Sequence, residues 1–422
     1  MNGCPPEIHA LIFSFACTDD GSVGRALSCV SRYVRQVSAP YQWQSLVISG
    51  VAQTKVFAAA LDNEGRAYRR NSPIALPRKR QIHHLFISNR THDSAEDQRY
   101  ASLYRIRDVD ARRKMERQFD ADAEAWTTAL RRILAYSAKS VRTLAMICYD
   151  IHASSSAAGR LLPCDLKKTA FPRLQALTIR GGFDVRLREP CAPARRHPDG
   201  AAPKSHSDLA PLPSLPALAR LHLIAPLPFE HLLRHLRGLA PRIAHLRLSE
   251  LSPFEGTLAR QIFCELAERD VVPCTLPGLG ARRHTADAIE WSPVVPPQDM
   301  LRRVVLQPAR MPPEPERQCG CCSGYYRMNE MTQLLHAMAD QAKDESYVFL
   351  SPTRYGAAGY TFRDVLKDWL DGVGGGVGGW EEKSNVGPAM HVAHSDPDQP
   401  RKPGTRASLD GCKEEVPRKR ET

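Results

Sequence analysis

The chain has 422 residues, of which 42% are hydrophobic and 25% charged, and its formal net charge is +12. This apolar content allows a large core, while the lack of any run of 18 or more apolar residues excludes a membrane-spanning helix. The twelve cysteines follow no secretion signal, so we expect reduced thiols in a soluble chain located in the cytoplasm, the nucleus or both.

The first predicted element is a helix that begins at Pro5 and Pro6, since proline suits the first turn of a helix. Four apolar residues recur at the spacing of one helical face: Ile8, Leu11, Ile12 and Phe15. Phe13 lies about 140° from Ile8 around the helix axis. The helix therefore has two apolar sides.

A second helical stretch runs from Ala26 to Val37, ends before Pro40, and is followed by the apolar anchors Trp43 and Leu46. Helices this short are marginal alone in water, so they must pack on something else. They pack either on the rest of their own chain only, or on a separate protein as well.

This N-terminal segment resembles an F-box. The matching residues are Pro5, Pro6, Glu7, Ile8, Leu11, Ile12, Phe13, Leu27, Val30, Ser31, Arg32, Trp43 and Leu46. The segment departs from the family pattern at Cys4, where Leu is usual, and at Gln42 before the tryptophan. The resemblance implies that these helices bind a Skp-type linker protein, and through it a cullin. The residues expected to contact the linker are Pro5, Pro6, Ile8, Leu11, Ile12, Leu27, Val30 and Trp43.

The positive charge is concentrated between residues 65 and 117, which contain 14 basic and 6 acidic side chains. A solvated basic face is the simplest explanation, although an acidic partner could use such a patch. The segment contains no motif that reads a nucleic-acid groove or stacks on bases, so we do not expect a nucleic-acid partner.

One pattern recurs along the rest of the chain: an apolar residue, two others, a second apolar residue, one other, and an aliphatic or methionine residue. Such alternation predicts short strands. The paired strand positions are Leu46 and Ile48, Leu85 and Ile87, Leu144 and Met146, Leu177 and Ile179, Leu221 and Leu223, Leu246 and Leu248, and Val304 and Leu306. A further strand is predicted at Tyr347–Leu350.

Helical stripes precede several of these strands, and strands that alternate with helices predict an α/β fold with a parallel sheet. The Leu-x-Leu strands resemble leucine-rich repeats, although their spacing of 25 to 59 residues is irregular. We therefore predict an N-terminal three-helix F-box followed by an irregular leucine-rich-repeat-like α/β solenoid. An ordinary α/β sheet is the alternative.

Three regions follow from this interpretation: a helical module over residues 4–46, a repeat-like body over 47–380 and a disordered tail over 381–422. Residues 186–216 are rich in Pro, Ala and Ser, so we expect a disordered insertion there. An F-box start, imperfect leucine-rich strands and the late run Asp368–Trp380 together resemble fungal F-box proteins of the mushroom-forming lineage.

Two short motifs could suggest a cofactor or a metal. Gly374–Gly379 satisfies G-x-G-x-x-G but follows a helical run, so we expect a helix stop and a flexible loop. Cys319, Cys321 and Cys322 lack a second pair at zinc-finger spacing. No nucleophile–base motif is present either. We therefore predict no cofactor, no metal site and no catalytic residue.

The resemblance implies a substrate-recognition adaptor of a Skp–cullin–F-box ubiquitin ligase, whose repeat body binds a target protein that the sequence does not identify. Ubiquitin transfer is carried out by other subunits of such a ligase, so the chain is not expected to be an enzyme. The alternative is a leucine-rich-repeat scaffold outside the ubiquitin system, in which the F-box-like segment only caps the solenoid.

Overall fold

The computed structural model describes residues 4–70, 80–91, 106–149, 169–180, 215–224, 240–251, 301–309, 323–341, 347–350 and 361–380. The predicted tail 381–422 and nearly all of the predicted insertion 186–216 lie outside the described residues. The cysteine cluster at 319–322 and much of the basic segment 65–117 lie outside them as well.

Three short helices open the described chain: α1 (Pro6–Ala16), α2 (Ser22–Val30) and α3 (Arg32–Ser38). Pro6 occupies the first turn of α1, where its missing N–H costs nothing. Ser31 separates α2 from α3, and its Oγ accepts a hydrogen bond from the Val34 N–H at 3.1 Å. This side-chain cap explains why the chain can change direction there without losing a backbone partner.

Eight strands follow, all parallel, and they form one open sheet in the order of the sequence. The strands are β1 (Ser45–Ser49), β2 (His84–Ser88), β3 (Thr143–Ile147), β4 (Ala176–Arg180), β5 (Arg220–Ile224), β6 (His245–Leu251), β7 (Arg303–Pro308) and β8 (Tyr347–Phe349). Every predicted pair of strand positions lies in one of them, and the predicted strand Tyr347–Leu350 is β8 without Leu350. The predicted α/β fold with a parallel sheet is therefore confirmed.

Four longer helices complete the described elements. They are α4 (Gly50–Arg70), α5 (Val109–Ser137), α6 (Ser323–Gln341) and α7 (Phe362–Val373), and a 3-10 turn follows at Gly378–Trp380. One of the predicted helical stripes, the one before β3, lies on α5. It is buried, with Trp126 and Ile133 almost fully enclosed. No helix in the described ranges is long and apolar enough to cross a membrane.

One face of the sheet builds the main core. Its aligned apolar rows run across neighbouring strands, as in Leu85 beside Leu144 and Leu144 beside Leu177. These side chains pack with residues of α4, α5 and α6 in one continuous cluster. Burying each large aliphatic side chain contributes about 1.5–3 kcal/mol, which makes this row the main source of stability.

The same turn precedes three consecutive strands. Leu174 donates its N–H to Phe171, Leu218 to Leu215 and Ile243 to Ala240, each to the backbone carbonyl three residues earlier. All six side chains are buried in the main core. The approaches to β4, β5 and β6 are therefore copies of one local structure, with apolar residues that continue the strand pattern backwards by three positions.

The second face of the sheet is partly covered by α7. Phe86 of β2 stacks edge-on against Phe362 at 5.3 Å and Trp369 at 5.8 Å between ring centroids. Val365 and Val373 complete this smaller cluster. A Thr361–Asp364 capping box starts α7, so the helix begins at a defined point beside the sheet.

Candidate protein-docking surface

The inward face of α1 is held by aromatic contacts. His9 and Phe13 are buried and lie one turn apart with their rings stacked at 6.1 Å. His9 Nδ1 is also 2.8 Å from the hydroxyl of Tyr33 on α3, and the two rings meet edge-on. Phe13 therefore faces the interior, as its position on a different side of the helix from Ile8 allows.

The opposite face of α1 carries the longer apolar stripe to solvent. Ile8 is 45% exposed, Leu11 53%, Ile12 52% and Phe15 71%. We call these four residues the apolar stripe. A row of large exposed hydrophobic side chains on one helix is uncommon in a chain with no partner. Covering it would contribute roughly 3–6 kcal/mol before the costs of association.

The three helices are fastened to the β1 edge of the sheet. The Val47 N–H donates to the carbonyl of Asp20 at 3.2 Å, and the Ser45 hydroxyl donates to the carbonyl of Asp19. The Gln44 amide reaches the carbonyl of Ser14 at 2.9 Å. The helices therefore satisfy part of the strand edge that would otherwise be open, and their orientation relative to the sheet is fixed.

A glycine allows α2 to pack closely against the segment that leads into β1. A Cβ built on Gly24 would lie 2.6 Å from the carbonyl oxygen of Gln42, a backbone atom that cannot turn away.

Burial and the charge of Asp19 raise the pKa of the Cys17 thiol, at the end of α1, to about 11. Cys17 is thus a protonated packing residue, and Cys4, Cys17 and Cys29 are free thiols.

The predicted linker-contacting residues fall into two groups. Six are exposed, namely Pro5, Pro6, Ile8, Leu11, Ile12 and Val30, and Leu27 is half-buried. The prediction left out Phe15 on α1 and Tyr33 on α3, which are also exposed. Phe15 could have been included from its spacing, because it stands seven residues after Ile8 on the same helical face.

Trp43 is placed differently from the other predicted residues. Its ring contacts Phe57 at 5.4 Å and Tyr136 at 6.5 Å, and the Arg80 guanidinium lies 4.5 Å above it. It packs against the main core at the junction of β1, α4 and α5. These contacts account for Trp43 as an internal anchor of the module, not as part of its outer surface.

A buried arginine organises the second face of the sheet. Arg247 is 2% exposed and donates to the carbonyl of Gly379 at 2.6 Å. Its guanidinium also lies 3.7 Å from Asp368, which supplies the opposite charge that a buried cation requires. This link ties the end of the described chain to β6, and sequence reasoning missed it because the partners are 132 residues apart.

The glycine run after α7 makes room for the contact between Arg247 and Gly379. The Gly374 N–H closes the helix on the carbonyl of Leu370, as the predicted helix stop requires. A Cβ on Gly379 would overlap Arg247, at 1.8 Å from Nη1. The segment predicted as a flexible loop is close-packed at its end, at Gly378, which adopts a positive φ of 57°, and at Gly379, whereas Gly374 and Gly375 are exposed.

Comparisons of this chain with protein-family models, with curated proteins and with solved structures find no match.

Proposed function

We propose that this chain is the substrate-recognition adaptor of a Skp–cullin–F-box ubiquitin ligase, with the N-terminal helices binding the linker protein and the sheet body binding a target. The apolar stripe carries the proposal. It lies on the first helix of the segment that resembles the F-box, and it is exposed instead of packed in the chain's own core. A helix that packs only on its own chain would turn its longer apolar face inward.

The exposed charges of the helical module support a partner that carries acidic residues. Arg25, Arg32 and Arg35 are exposed on α2 and α3, whereas α1 contributes a single carboxylate, Glu7. A module with an apolar stripe and exposed basic side chains favours a partner that offers an apolar groove and acidic residues.

The body supports the second half of the proposal. Its strands pair in sequence order, and the same buried turn recurs before β4, β5 and β6. Both features are typical of leucine-rich-repeat solenoids, whose extended sheet surfaces bind other proteins. We infer that the body is an irregular solenoid of this type with unequal connections.

A second candidate is a leucine-rich-repeat scaffold in which the helical module only caps the sheet. The hydrogen bonds that Ser45 and Val47 of β1 donate to the carbonyls of Asp19 and Asp20 favour it, since they give the module a structural task. In that case the apolar stripe would have no obligatory partner.

The two candidates differ in whether the stripe binds a Skp-type linker. We expect the double substitution Ile8→Asp with Leu11→Asp to abolish co-purification with that linker, because two charges at the centre of an apolar contact cannot be buried unpaired. The matched control is Val56→Asp on α4, which is 71% exposed and lies outside the module. Linker binding that survives the double substitution contradicts the adaptor proposal and leaves the scaffold.

The same experiment needs a check on folding. All three substituted residues are exposed, so circular dichroism and the melting temperature of each variant should match those of the unmodified chain within about 2 °C.

A further inference from the structure

A cleft lies between the second face of the sheet and the segment formed by α7 and the 3-10 turn. Its volume is about 670 Å³, which is within the range of small-molecule sites. The floor is formed by small side chains at the amino ends of the strands, such as Ala176, Ala219 and Ala244. Trp369 and Trp380 stand on the opposite side. We call this space the cationic cleft, for the reason given next.

The charged lining of the cationic cleft is mostly positive. Arg220, Arg242, Arg247 and Arg302 line it, and the lining residues include one carboxylate, that of Asp368. Asp368 lies beside Arg247, so the other three arginines account for the excess charge. Arg242 and Arg302 are exposed at the mouth, where guanidinium groups can turn toward a ligand.

Two histidines at or near the cleft have a lowered pKa, with burial as the main cause. Burial, His83 and Arg142 lower the pKa of His84 to about 4, so its ring is neutral at pH 7. Burial together with Arg220, Arg303 and Arg302 lowers the pKa of His245. With a lowered pKa, these histidines add little positive charge at neutral pH, and the positive charge of the cleft comes from its arginines.

Two polar atoms in the lining lack hydrogen-bond partners within the described part of the chain. Nε1 of Trp369 is one of them, although the residue is only 5% exposed. Nδ1 of His84 is the other. A buried N–H donor without a partner is unfavourable, and a ligand oxygen in the cleft would supply the acceptor.

The indole of Trp380 forms a flat apolar wall. It is held edge-on by the rings of His222, at 6.3 Å, and His245, at 5.9 Å. A ring fixed in this way offers an apolar surface on which a planar group can pack.

We propose that the cationic cleft binds an aryl phosphate group, with the arginines holding the phosphate and Trp380 packing against the aromatic ring. Phosphate fits better than a single carboxylate because three arginines in excess favour a dianion over a monoanion, and the three free oxygens of a phosphate ester give the guanidinium groups more acceptors than the two of a carboxylate. The proposal goes beyond the adaptor function and does not depend on it, since no residue of the apolar stripe lines the cleft.

Titration of the full chain with phenyl phosphate tests the proposal, with calorimetry and tryptophan fluorescence as readouts. We expect saturable binding that is at least tenfold tighter than that of inorganic phosphate, because only the aryl compound uses Trp380. Substituting both exposed arginines, Arg242→Gln with Arg302→Gln, should weaken phenyl phosphate binding by at least tenfold. Trp380→Leu should weaken the binding of phenyl phosphate but not that of inorganic phosphate.

The matched control removes two positive charges from the same region without touching the cleft. Arg363→Gln with Lys367→Gln does this, because both residues are exposed on α7 and neither lines the cleft. Binding should stay within twofold of the unmodified chain. Equal losses in the two double variants, or no saturable binding at millimolar phenyl phosphate, would overturn the proposal.

A second arm identifies the source of the aryl phosphate. A short peptide that carries phosphotyrosine is titrated beside phenyl phosphate. Tighter binding of the peptide assigns the group to a protein segment, and weaker binding assigns it to a free small molecule. Both outcomes support aryl phosphate recognition. Linker co-purification by the cleft variants is measured in parallel, so that failure here is distinct from failure of the adaptor proposal.

Discussion

At the scale of single residues, histidines on the second face of the sheet make the stability of the fold sensitive to acid. His84, His222 and His245 all have a lowered pKa, with burial as the main cause; the next cause is the neighbouring His83 for His84 and nearby arginines for the other two. A histidine with a lowered pKa in the folded chain binds fewer protons than in the unfolded chain, where its pKa is about 6.5. The stability that these residues contribute is therefore complete above pH 6.5 and is lost as the pH falls.

His84 gives the clearest window, because its pKa in the folded chain is about 4. We expect the free energy of unfolding to fall between pH 7.5 and pH 5, and His84→Gln to remove on the order of 1–2 kcal/mol of that fall. Urea denaturation at both pH values measures it. The variant and the unmodified chain should keep a constant difference between pH 7.5 and 8.5, and parallel curves down to pH 5 would contradict the assignment.

At the scale of elements, the turn after α7 is tied to the sheet by a hydrogen bond from the Arg247 side chain. Gly379 accepts the hydrogen bond of the buried Arg247, and its missing side chain makes room for that guanidinium. Gly372, near the end of α7, has no heavy atom within 4 Å of an added Cβ. Gly379 therefore has no room for a side chain, whereas Gly372 has room for one, and the two positions can be compared directly.

Gly379→Ala should lower the free energy of unfolding by about 1–3 kcal/mol, because the new methyl group displaces a buried cation from its partners. Gly372→Ala should leave stability unchanged or raise it by up to about 1 kcal/mol, since alanine favours the helix. Urea denaturation of the two variants side by side measures the contrast. Equal effects would show that the Gly379–Arg247 contact is not required.

The elements differ in how far the sequence could predict them. The strands were predictable because the alternation at positions such as Leu144 and Met146 belongs to one chain segment. The apolar stripe was predictable as a face, but its outward direction was not, because Phe13 gave α1 a second apolar side. The cleft was not predictable, since Arg247 meets Gly379 from a distant part of the sequence and nothing local marks the pair.

At the scale of the whole molecule, one sheet contains every described strand. Its first edge, formed by β1, must be protected from pairing with another chain. β1 stands at the end of the strand order and pairs with β2 on one side. On the other side, the loop at Asp19 and Asp20 occupies part of its backbone. An uncovered parallel edge is a template for pairing with another chain.

Removal of residues 1–40 should therefore cause self-association. We expect the shortened chain to elute earlier than the full chain in size-exclusion chromatography and to melt several degrees lower. The full chain with Ile8→Asp and Leu11→Asp is the control, because it keeps the edge contacts and should elute normally. A shortened chain that stays at its own monomer size with an unchanged melting temperature would show that the edge needs no cover.

The strand order also bears on how such a chain can change over generations. Each strand pairs only with the strands before and after it, so a segment between two strands can lengthen or shorten without altering any other pairing. The separations of 25 to 59 residues between equivalent leucine positions are compatible with this freedom. Descendants of this gene could therefore vary one connection at a time, and acquire new surface features, while inheriting an unaltered core.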